Sequence, residues 1–300
     1  MTRDAPSKSV LRSLAACALL LAACAAAARA QSSENVSGFA EVNGTRLYYE
    51  AAGRGPAVVL IHGGLVDSRM WDDQMRPLAK RFRVVRYDLR GYGRSAAPTA
   101  PFSHVEDLRA LMDFLKVGRA SVVGLSLGGI VAADFALEHP ERVERLALVG
   151  AGLRGDTQPP DEKSLNAYRT GAREGAEKYF EAFLQADLLA GVRDRPAARA
   201  RMHRMMIDNF KALTYLTSGL LQYPEPKTIE RLSEIKATTL VVVGSLDGKN
   251  LQNIADTLAT RIPGARKVTI PGASHHPPVE TPKEFNRVLL DFLNEGKRQK

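Results

Sequence analysis

A serine with a glycine two positions away on each side is the residue of this sequence best placed to do chemistry. The motif Gly124-Leu125-Ser126-Leu127-Gly128 comes directly after the run Ser121-Val122-Val123 and directly before a helical pattern at 130–137. This strand–turn–helix context is typical of a nucleophile elbow, whose sharp turn exposes the serine hydroxyl above a sheet. Glycines leave room for the strained backbone, and the helix N-terminus favours developing negative charge. The sequence therefore predicts Ser126 as a nucleophile.

A serine hydroxyl is a weak nucleophile and needs a general base, for which the sequence offers six histidines. His275 follows the last predicted strand in the loop Pro271-Gly272-Ala273-Ser274-His275, so we expect it at the same edge of the sheet as Ser126. We predict that His275 is the base. Its neighbour His276 is the other option for that role and is interpreted as a wall of the site. The remaining histidines are expected to brace a loop (His62), to end a helix (His139) or to face solvent (His104 and His203).

The base in turn needs a carboxylate that fixes its tautomer and stabilises the imidazolium. Asp247 follows the apolar run 240–246, again at the end of a predicted strand. The other position for an acid, after the preceding strand, holds Gly150-Ala151-Gly152-Leu153 and no carboxylate before Asp156. We therefore predict Asp247 as the acid, the alternative being a solvated loop aspartate.

Acyl transfer also requires hydrogen-bond donors for the oxyanion of the tetrahedral intermediate. The backbone N–H of Leu127, the residue after the nucleophile, is expected to supply one of them. The second is expected from the loop His62-Gly63-Gly64-Leu65, which follows the predicted strand 57–61. Within that loop, Gly64 is the predicted donor.

The elements that must position these residues alternate between buried strands and helices. Two short runs, 39–42 and 46–50, are joined by Asn43-Gly44, a pairing typical of a β-hairpin. Apolar runs separated by helical stretches then predict parallel strands with crossover helices. These further strands are expected at 57–61, 83–87, 121–125, 146–149, 239–243 and 267–270. The fold predicted is α/β, with a mostly parallel eight-stranded sheet flanked by helices.

One interval, between the sixth and seventh strands, has no strand pattern. Residues 152–233 carry amphipathic helical patterns only, and they predict a helical cap over the carboxyl edge of the sheet. The core is then expected at 31–151 and 234–300. Two apolar stripes, at 179–184 and 202–210, should mainly pack the cap itself, while a minority of their side chains line the substrate pocket.

Four sequence blocks resemble the α/β-hydrolase superfamily in both composition and order. They are His62-Gly63-Gly64, the block 87–95, Gly124-x-Ser126-x-Gly128-Gly129 and Gly272-x-x-His275. The resemblance covers 39–293 and is greatest to the capped esterase, lactonase and perhydrolase-like branch. It implies a small-molecule acyl substrate, attack by Ser126, proton transfer by His275, release of an acyl-enzyme by water, and no metal or organic cofactor. It also implies that Asp88, Arg90 and Arg94 are loop scaffolding.

Other functions stay open on the same residues. The same triad serves C–C bond hydrolysis and cofactor-free perhydrolysis, which the sequence alone does not separate from ester or lactone hydrolysis. A non-catalytic binding protein is disfavoured because all three triad members are present. Haloalkane dehalogenases and epoxide hydrolases are disfavoured because their nucleophile is an aspartate, where this chain has Ser126.

The first thirty residues have the pattern of a secretory signal peptide. Three basic residues before position 13 precede an uncharged run at 13–28, which ends in Ala28-Arg29-Ala30. That run of sixteen residues is shorter than the roughly 20 that a membrane-spanning helix needs. We therefore expect a signal peptide at 1–30, an exported periplasmic or secreted enzyme beginning at Gln31, and no stable membrane span. The alternative is a membrane-tethered lipoprotein, because Leu21-Ala22-Ala23-Cys24 resembles a lipidation box.

Removal of this segment changes both charge and cysteine content. Residues 1–30 hold four basic residues and one acid, so cleavage lowers the formal net charge from +9 to +6. Cys17 and Cys24 both lie there, and cleavage after Ala30 leaves no thiol. No basic stripe is interleaved with aromatic residues, so nucleic-acid binding is not expected.

Overall fold

A computed structural model describes residues 35–159 and 161–296, whose strands form one eight-stranded sheet. The strands are β1 (Val36–Val42), β2 (Thr45–Ala52), β3 (Ala57–Ile61), β4 (Arg83–Tyr87), β5 (Ala120–Leu125), β6 (Val143–Val149), β7 (Thr238–Gly244) and β8 (Arg266–Ile270). Their spatial order is β1-β2-β4-β3-β5-β6-β7-β8. β1 and β2 form the predicted hairpin, β2 pairs antiparallel with β4, and all later pairings are parallel. The predicted fold class is confirmed.

Helices connect the parallel strands and fill the interval between β6 and β7. The α-helices are α1 (Asp72–Ala79), α2 (His104–Phe114), α3 (Leu127–Glu138), α4 (Glu162–Glu174), α5 (Ala176–Phe183), α6 (Pro196–Asp208), α7 (Ala212–Thr217), α8 (Thr228–Arg231), α9 (Lys249–Arg261), α10 (Pro277–Glu280) and α11 (Pro282–Asn294). Short 3₁₀ helices lie at Ser68–Trp71, Pro140–Arg142, Asp187–Val192 and Leu232–Glu234. Across residues 35–159 and 161–296, no helix combines the length and the hydropathy that crossing a membrane requires.

The central strands of the sheet are buried on both faces, which accounts for their near-continuous apolar runs. Within β3, Val58 and Leu60 belong to one buried cluster, while Val59 and Ile61 belong to the other. Helices α2, α3 and α9 cover the second of these faces, and α1 and α11 cover the first. The sheet thus lies between two layers of helices, and the loops that follow its strands extend from a well-packed core.

The chain between β6 and β7 forms helices α4 to α8, as its amphipathic patterns predicted. The predicted apolar stripes are largely buried: Tyr179, Phe180, Phe183 and Leu184 in one, and Met202, Met205 and Met206 in the other. These side chains share a buried cluster with core residues of β3 and β5. The helical segment therefore packs against the same hydrophobic core as the sheet. The boundaries of a cap at 152 and 233 stay a prediction.

Candidate active site

The backbone at Ser126 has the strained conformation of a nucleophile elbow. Ser126 lies between the end of β5 and the start of α3, with φ of 55° and ψ of −112°. A positive φ is uncommon for a residue with a side chain and costs free energy that the surrounding structure must supply. A Cβ atom at Gly124 would lie 2.0 Å from the Gly128 carbonyl oxygen, and one at Gly128 would lie 2.4 Å from the Ile61 oxygen. The two glycines of the motif are therefore required by close backbone packing.

The two predicted oxyanion donors lie at the same cavity as the nucleophile. Leu127 is the first residue of α3, so its N–H has no acceptor within the helix. Gly64 belongs to the loop after β3, the strand that pairs with β5 in the sheet. Ser126, Leu127, Gly64 and His275 all line one cavity. The helix N-terminus and the β3 loop thus present backbone to the same space as the serine, although their roles as donors stay a prediction.

The imidazole of His275 lies in the loop between β8 and α10 and is held against a glycine. His275 is buried, with 6% of its surface exposed. A Cβ atom at Gly150, directly after β6, would lie 2.9 Å from His275 Nδ1. Gly150 has a φ of +46°, and any side chain there would displace the imidazole. The glycine that follows β6 therefore makes the space in which the predicted base lies.

Asp247 faces His275 from the end of β7. One carboxylate oxygen, Oδ2, accepts a hydrogen bond of 2.8 Å from the backbone N–H of Gly244. The other, Oδ1, lies 3.9 Å from His275 Nδ1. Among the described residues, neither Asp247 Oδ1 nor His275 Nδ1 has a hydrogen-bond partner, and both atoms are buried. The distance is longer than a hydrogen bond, as is common for catalytic pairs that tighten when substrate binds.

Burial shifts the pKa values of this pair in opposite directions. Burial is the main cause that raises the pKa of Asp247 to about 7. The hydrogen bond from the Gly244 N–H acts to lower this pKa, while the nearby carboxylates of Glu280 and Asp187 raise it further. Burial, together with the neighbouring His276, lowers the pKa of His275 well below its ordinary value. The imidazole is therefore neutral at neutral pH and able to accept a proton. An ionised carboxylate at the position of Asp247 would stabilise the imidazolium form.

His276 lies in the wall of the cavity, as predicted. It is buried, its ring stands at 89° to that of His275 with centroids 5.0 Å apart, and it is hydrogen-bonded to the Leu188 backbone. Burial lowers its pKa to about 4. Because the Asp247 carboxylate faces His275, the geometry favours His275 as the base of the two.

Three of the four remaining histidines have the surroundings expected of them. His62 Nε2 accepts a 2.9 Å hydrogen bond from the Leu89 N–H and so braces its loop. His139 ends α3 beside Glu106, and His203 is partly exposed beside Glu177. The expectation for His104 was wrong, because only 3% of it is exposed and its ring packs edge-on against Phe102. Burial lowers its pKa to about 3.

The carboxylate of Asp88 organises the loop block that the family resemblance assigned to scaffolding. Its two oxygens accept hydrogen bonds of 2.9 Å from the backbone N–H groups of Ser68 and Arg94. The guanidinium of Arg90 pairs with buried Asp107 at 2.6 Å. These side chains find their partners within the loop scaffold, and none of them is among the lining residues of the cavity that holds Ser126.

Most of the side chains that line the cavity beside Ser126 are apolar. Its volume is about 210 Å³. The apolar and aromatic side chains that line it are Leu65, Val66, Leu127, Ile130, Tyr168, Phe183, Leu188, Met202, Met206 and Leu216. Its side chains with polar atoms are those of Ser126, Tyr168, His275 and His276, and no Lys, Arg, Asp or Glu of the described chain is among its lining residues. Several of the lining residues come from the helical segment between β6 and β7, as the sequence predicted.

Two residues of the site were missed by the sequence analysis. The sequence analysis named Gly150 only as part of a segment that lacks a carboxylate. A glycine directly after a strand is, however, a signal of close approach. Glu280, five residues after His275, is buried against the histidine loop. A carboxylate within a Pro-rich helical turn gives no periodic signal, so burial was the property that the sequence could not supply.

A family model described as alpha/beta hydrolase fold matches residues 56–282. A 2-hydroxy-6-oxononadienedioate/2-hydroxy-6-oxononatrienedioate hydrolase of Burkholderia vietnamiensis is 32% identical over 83% of this chain and 91% of its own. A pimeloyl-acyl-carrier-protein methyl ester esterase of Edwardsiella ictaluri is 29% identical over 83% and 97%. Among solved structures, an enol-lactonase from Burkholderia xenovorans LB400 matches with a TM-score of 0.74 and 30% identity, over 86% of this chain and 100% of its own.

Proposed function

The chain belongs to the α/β-hydrolase family and is a hydrolase, and we propose that it cleaves an uncharged carboxylic ester, lactone or related small acyl compound through an acyl-enzyme. The observation that carries the proposal is the common cavity of Ser126, His275, Leu127 and Gly64, with Asp247 behind the histidine. That arrangement supplies a nucleophile, a neutral base, an acid that stabilises the imidazolium, and two backbone donors in one apolar space.

In the proposed reaction, the hydroxyl oxygen of Ser126 attacks the acyl carbon while its proton passes to His275 Nε2. The carbonyl oxygen becomes an oxyanion and accepts hydrogen bonds from the Leu127 and Gly64 N–H groups, whose alignment is fixed before the reaction. The imidazolium, stabilised by Asp247, then donates its proton to the leaving oxygen as the carbon–oxygen bond breaks. Water, deprotonated by His275, hydrolyses the acyl-enzyme and restores the serine.

The lining of the cavity supports an uncharged acyl group. Burial of an unpaired carboxylate is costly, so pockets for anionic substrates carry a cation or a dense set of donors. Here most lining side chains are aliphatic, aromatic or thioether, without Lys or Arg among the described lining residues. The Burkholderia vietnamiensis relative is named for a dioate, a substrate with two carboxylates, and this lining offers no cationic partner for a second one.

Hydrolysis of a C–C bond by the same triad is the second candidate function. It is favoured by the identity to the oxononadienedioate hydrolase, which extends over most of both chains. The apolar lining weighs against it for substrates with charged ends. Perhydrolysis would also use the same triad, and no contact of the described residues favours it over hydrolysis.

A panel of p-nitrophenyl esters graded by acyl length tests the proposal. We expect hydrolysis of neutral acyl esters, with kcat/KM at least about tenfold above that of an ester of equal length that ends in a carboxylate, because one unpaired buried charge costs more than about 1.4 kcal/mol. The panel also includes neutral lactones and an oxo-dioate in which hydrolysis would cleave a C–C bond. Preference for the carboxylate-ended ester, or activity on the dioate alone, would contradict the assignment.

We propose that the enzyme is exported and acts in the periplasm or outside the cell. The support is the signal-peptide pattern at 1–30, which lies outside the described residues. Lipidation at Cys24 is the alternative processing.

A further inference from the structure

A buried carboxylate that the reaction does not use lies beside the histidine loop. Glu280 is the last residue of α10, and only 5% of it is exposed. Its side chain accepts hydrogen bonds from the backbone N–H of Ser274 and, at 2.9 Å, from that of His276. A third hydrogen bond, of 2.8 Å, comes from the Ser274 hydroxyl. Glu280 therefore holds the chain immediately before and immediately after His275.

We propose that Glu280 is a positioning residue for His275, fixing the backbone on both sides of the base so that its imidazole faces Asp247 and the cavity. The inference rests on the proposed function, in which His275 transfers the proton of Ser126. On either side of His275, the backbone N–H groups of Ser274 and His276 both donate to this carboxylate. A carboxylate with two oxygens can satisfy all three donors at once, which no neutral side chain of that length can do.

The chemistry of this contact argues for a functional role. Burial raises the pKa of the Glu280 carboxyl, while the hydrogen bonds from Ser274 and His276 and the charge of Arg195 act to lower it. Within the described residues, no cation lies within ion-pair distance of Glu280. Burial of an acid without an ion pair is costly, and such groups are concentrated at functional sites. The free-energy cost of burying Glu280 is offset by its three hydrogen bonds, and these also align the loop that carries His275.

The same contact connects the histidine loop to the helical segment above the sheet. The Ser274 hydroxyl accepts a 2.9 Å hydrogen bond from the Gly191 N–H. A Cβ atom at Gly191 would collide with Glu280 Oε2, so the 3₁₀ helix Asp187–Val192 packs directly over the carboxylate. Arg195 donates to the carbonyl oxygens of Gly191 and Gly272 and ties the two segments together. Glu280 is thereby covered by protein and its hydrogen bonds are protected from water.

The test compares Glu280→Gln with Glu284→Gln, the same change four residues later. Glu284 is partly exposed on α11 and pairs with Arg287, so its amide variant controls for the loss of a nearby charge. The Glu280 amide keeps one acceptor oxygen and directs an NH₂ group at a backbone donor, which displaces the loop. We expect kcat on a neutral p-nitrophenyl ester to fall by about tenfold or more with KM within about threefold, because small misplacements of a catalytic group cost that much. Glu284→Gln should match the wild type in both.

The pH dependence of kcat/KM gives a readout that a purely structural role would not change. Activity requires ionised Asp247 and neutral His275, so we expect the wild type to gain activity as pH rises through about 7. The charge of Glu280 contributes to raising the pKa of Asp247. Removing that charge lowers the pKa of the pair, so the acid limb of Glu280→Gln should move to lower pH, and that of Glu284→Gln should not. Of the other charged or titratable groups here, Asp187 acts on Asp247, Arg195 acts on Glu280, and His276 acts on His275.

Folding and the proposed function are checked separately. If Glu280→Gln does not fold, judged by circular dichroism, Ser274→Ala is measured in its place, because it removes one of the three donors and leaves the carboxylate; we expect a fall in kcat of at least about threefold at unchanged KM. A folded variant with wild-type kcat and an unshifted acid limb would overturn the positioning role. A wild type that hydrolyses none of the esters and takes no fluorophosphonate would instead overturn the proposed function.

Discussion

At the scale of single residues, burial of the Asp247 carboxylate behind the base lowers the stability of the folded protein. Its pKa of about 7 in the folded protein lies above the ordinary value of 3.8, so the protein is destabilised as pH rises between these two values and stays so above them. One oxygen accepts from the Gly244 N–H, while the other has no partner among the described residues except the approach of His275. The site therefore contains a buried charge that folding alone would not select.

We predict that Asp247→Asn is more stable than the wild type at pH 8 and almost inactive. The amide oxygen can still accept from the Gly244 N–H, while the buried charge is removed. The stability gain should be smaller at pH 5, where the wild-type carboxyl is mostly protonated. Activity should fall on the order of 10⁴-fold, the loss seen when the equivalent acid of serine proteases is replaced by its amide. Thermal unfolding at the two pH values and ester hydrolysis measure both effects, and a less stable variant at pH 8 would contradict the account.

Residue types and spacing could predict the nucleophile motif, the loop that carries His275 and the strand end that carries Asp247. They could not predict Glu280 or the burial of His104, because both depend on neighbours distant in sequence. His104 occupies the first turn of α2, where side chains usually face water, yet Phe102 packs against its ring. Gly150 is intermediate, since its type signals close approach without saying to what.

At the scale of elements, the predicted bounds of all eight strands lie within a few residues of the observed ones. The central strands were predictable because strands buried on both faces are continuous apolar runs. The interval between β6 and β7 was predicted as helical because its apolar residues recur at helical spacing. How these helices attach to the sheet was not predictable, because the attachment depends on polar contacts without a periodic pattern. Asn209, directly after α6, is the clearest of these. Its amide donates 2.8 Å to Asp67 Oδ2, and its oxygen accepts from the Gly93 N–H at 2.7 Å.

We predict that Asn209→Ala loosens the helical segment and destabilises the protein by about 1–3 kcal/mol, because it leaves buried partners unsatisfied. Asn209 is 1% exposed and joins the loops after β3 and β4 to α6. The free energy of unfolding in urea measures the loss. The matched control is Asn294→Ala, whose amide donates to the Leu290 carbonyl within α11. Equal effects of the two variants would show that the contact does not hold α6 to the sheet.

At the scale of the whole molecule, the proposed export determines which chain carries out the reaction. Residues 1–30 are expected to be removed, and the chain that remains has no cysteine, so an oxidising compartment forms no disulfide in it. We predict an intact mass that begins at Gln31 for protein isolated from its native host. A diacylglycerol-modified start at Cys24 would indicate the lipoprotein alternative. An unprocessed chain that begins at Met1 in the cytoplasm would contradict export.

The most direct measurement of the central claim is covalent labelling with a fluorophosphonate, which reacts with a serine only when a base activates it. The variants are Ser126→Ala and, as the matched control, Ser233→Ala, at an exposed serine before β7. We predict one adduct per chain on the wild type and on Ser233→Ala, located by peptide mass at Ser126. Ser126→Ala should fold, take no adduct and lose on the order of 10⁶ in kcat, as expected for loss of a triad nucleophile. An adduct that persists on Ser126→Ala, or hydrolysis at the wild-type rate, would contradict the assignment of Ser126.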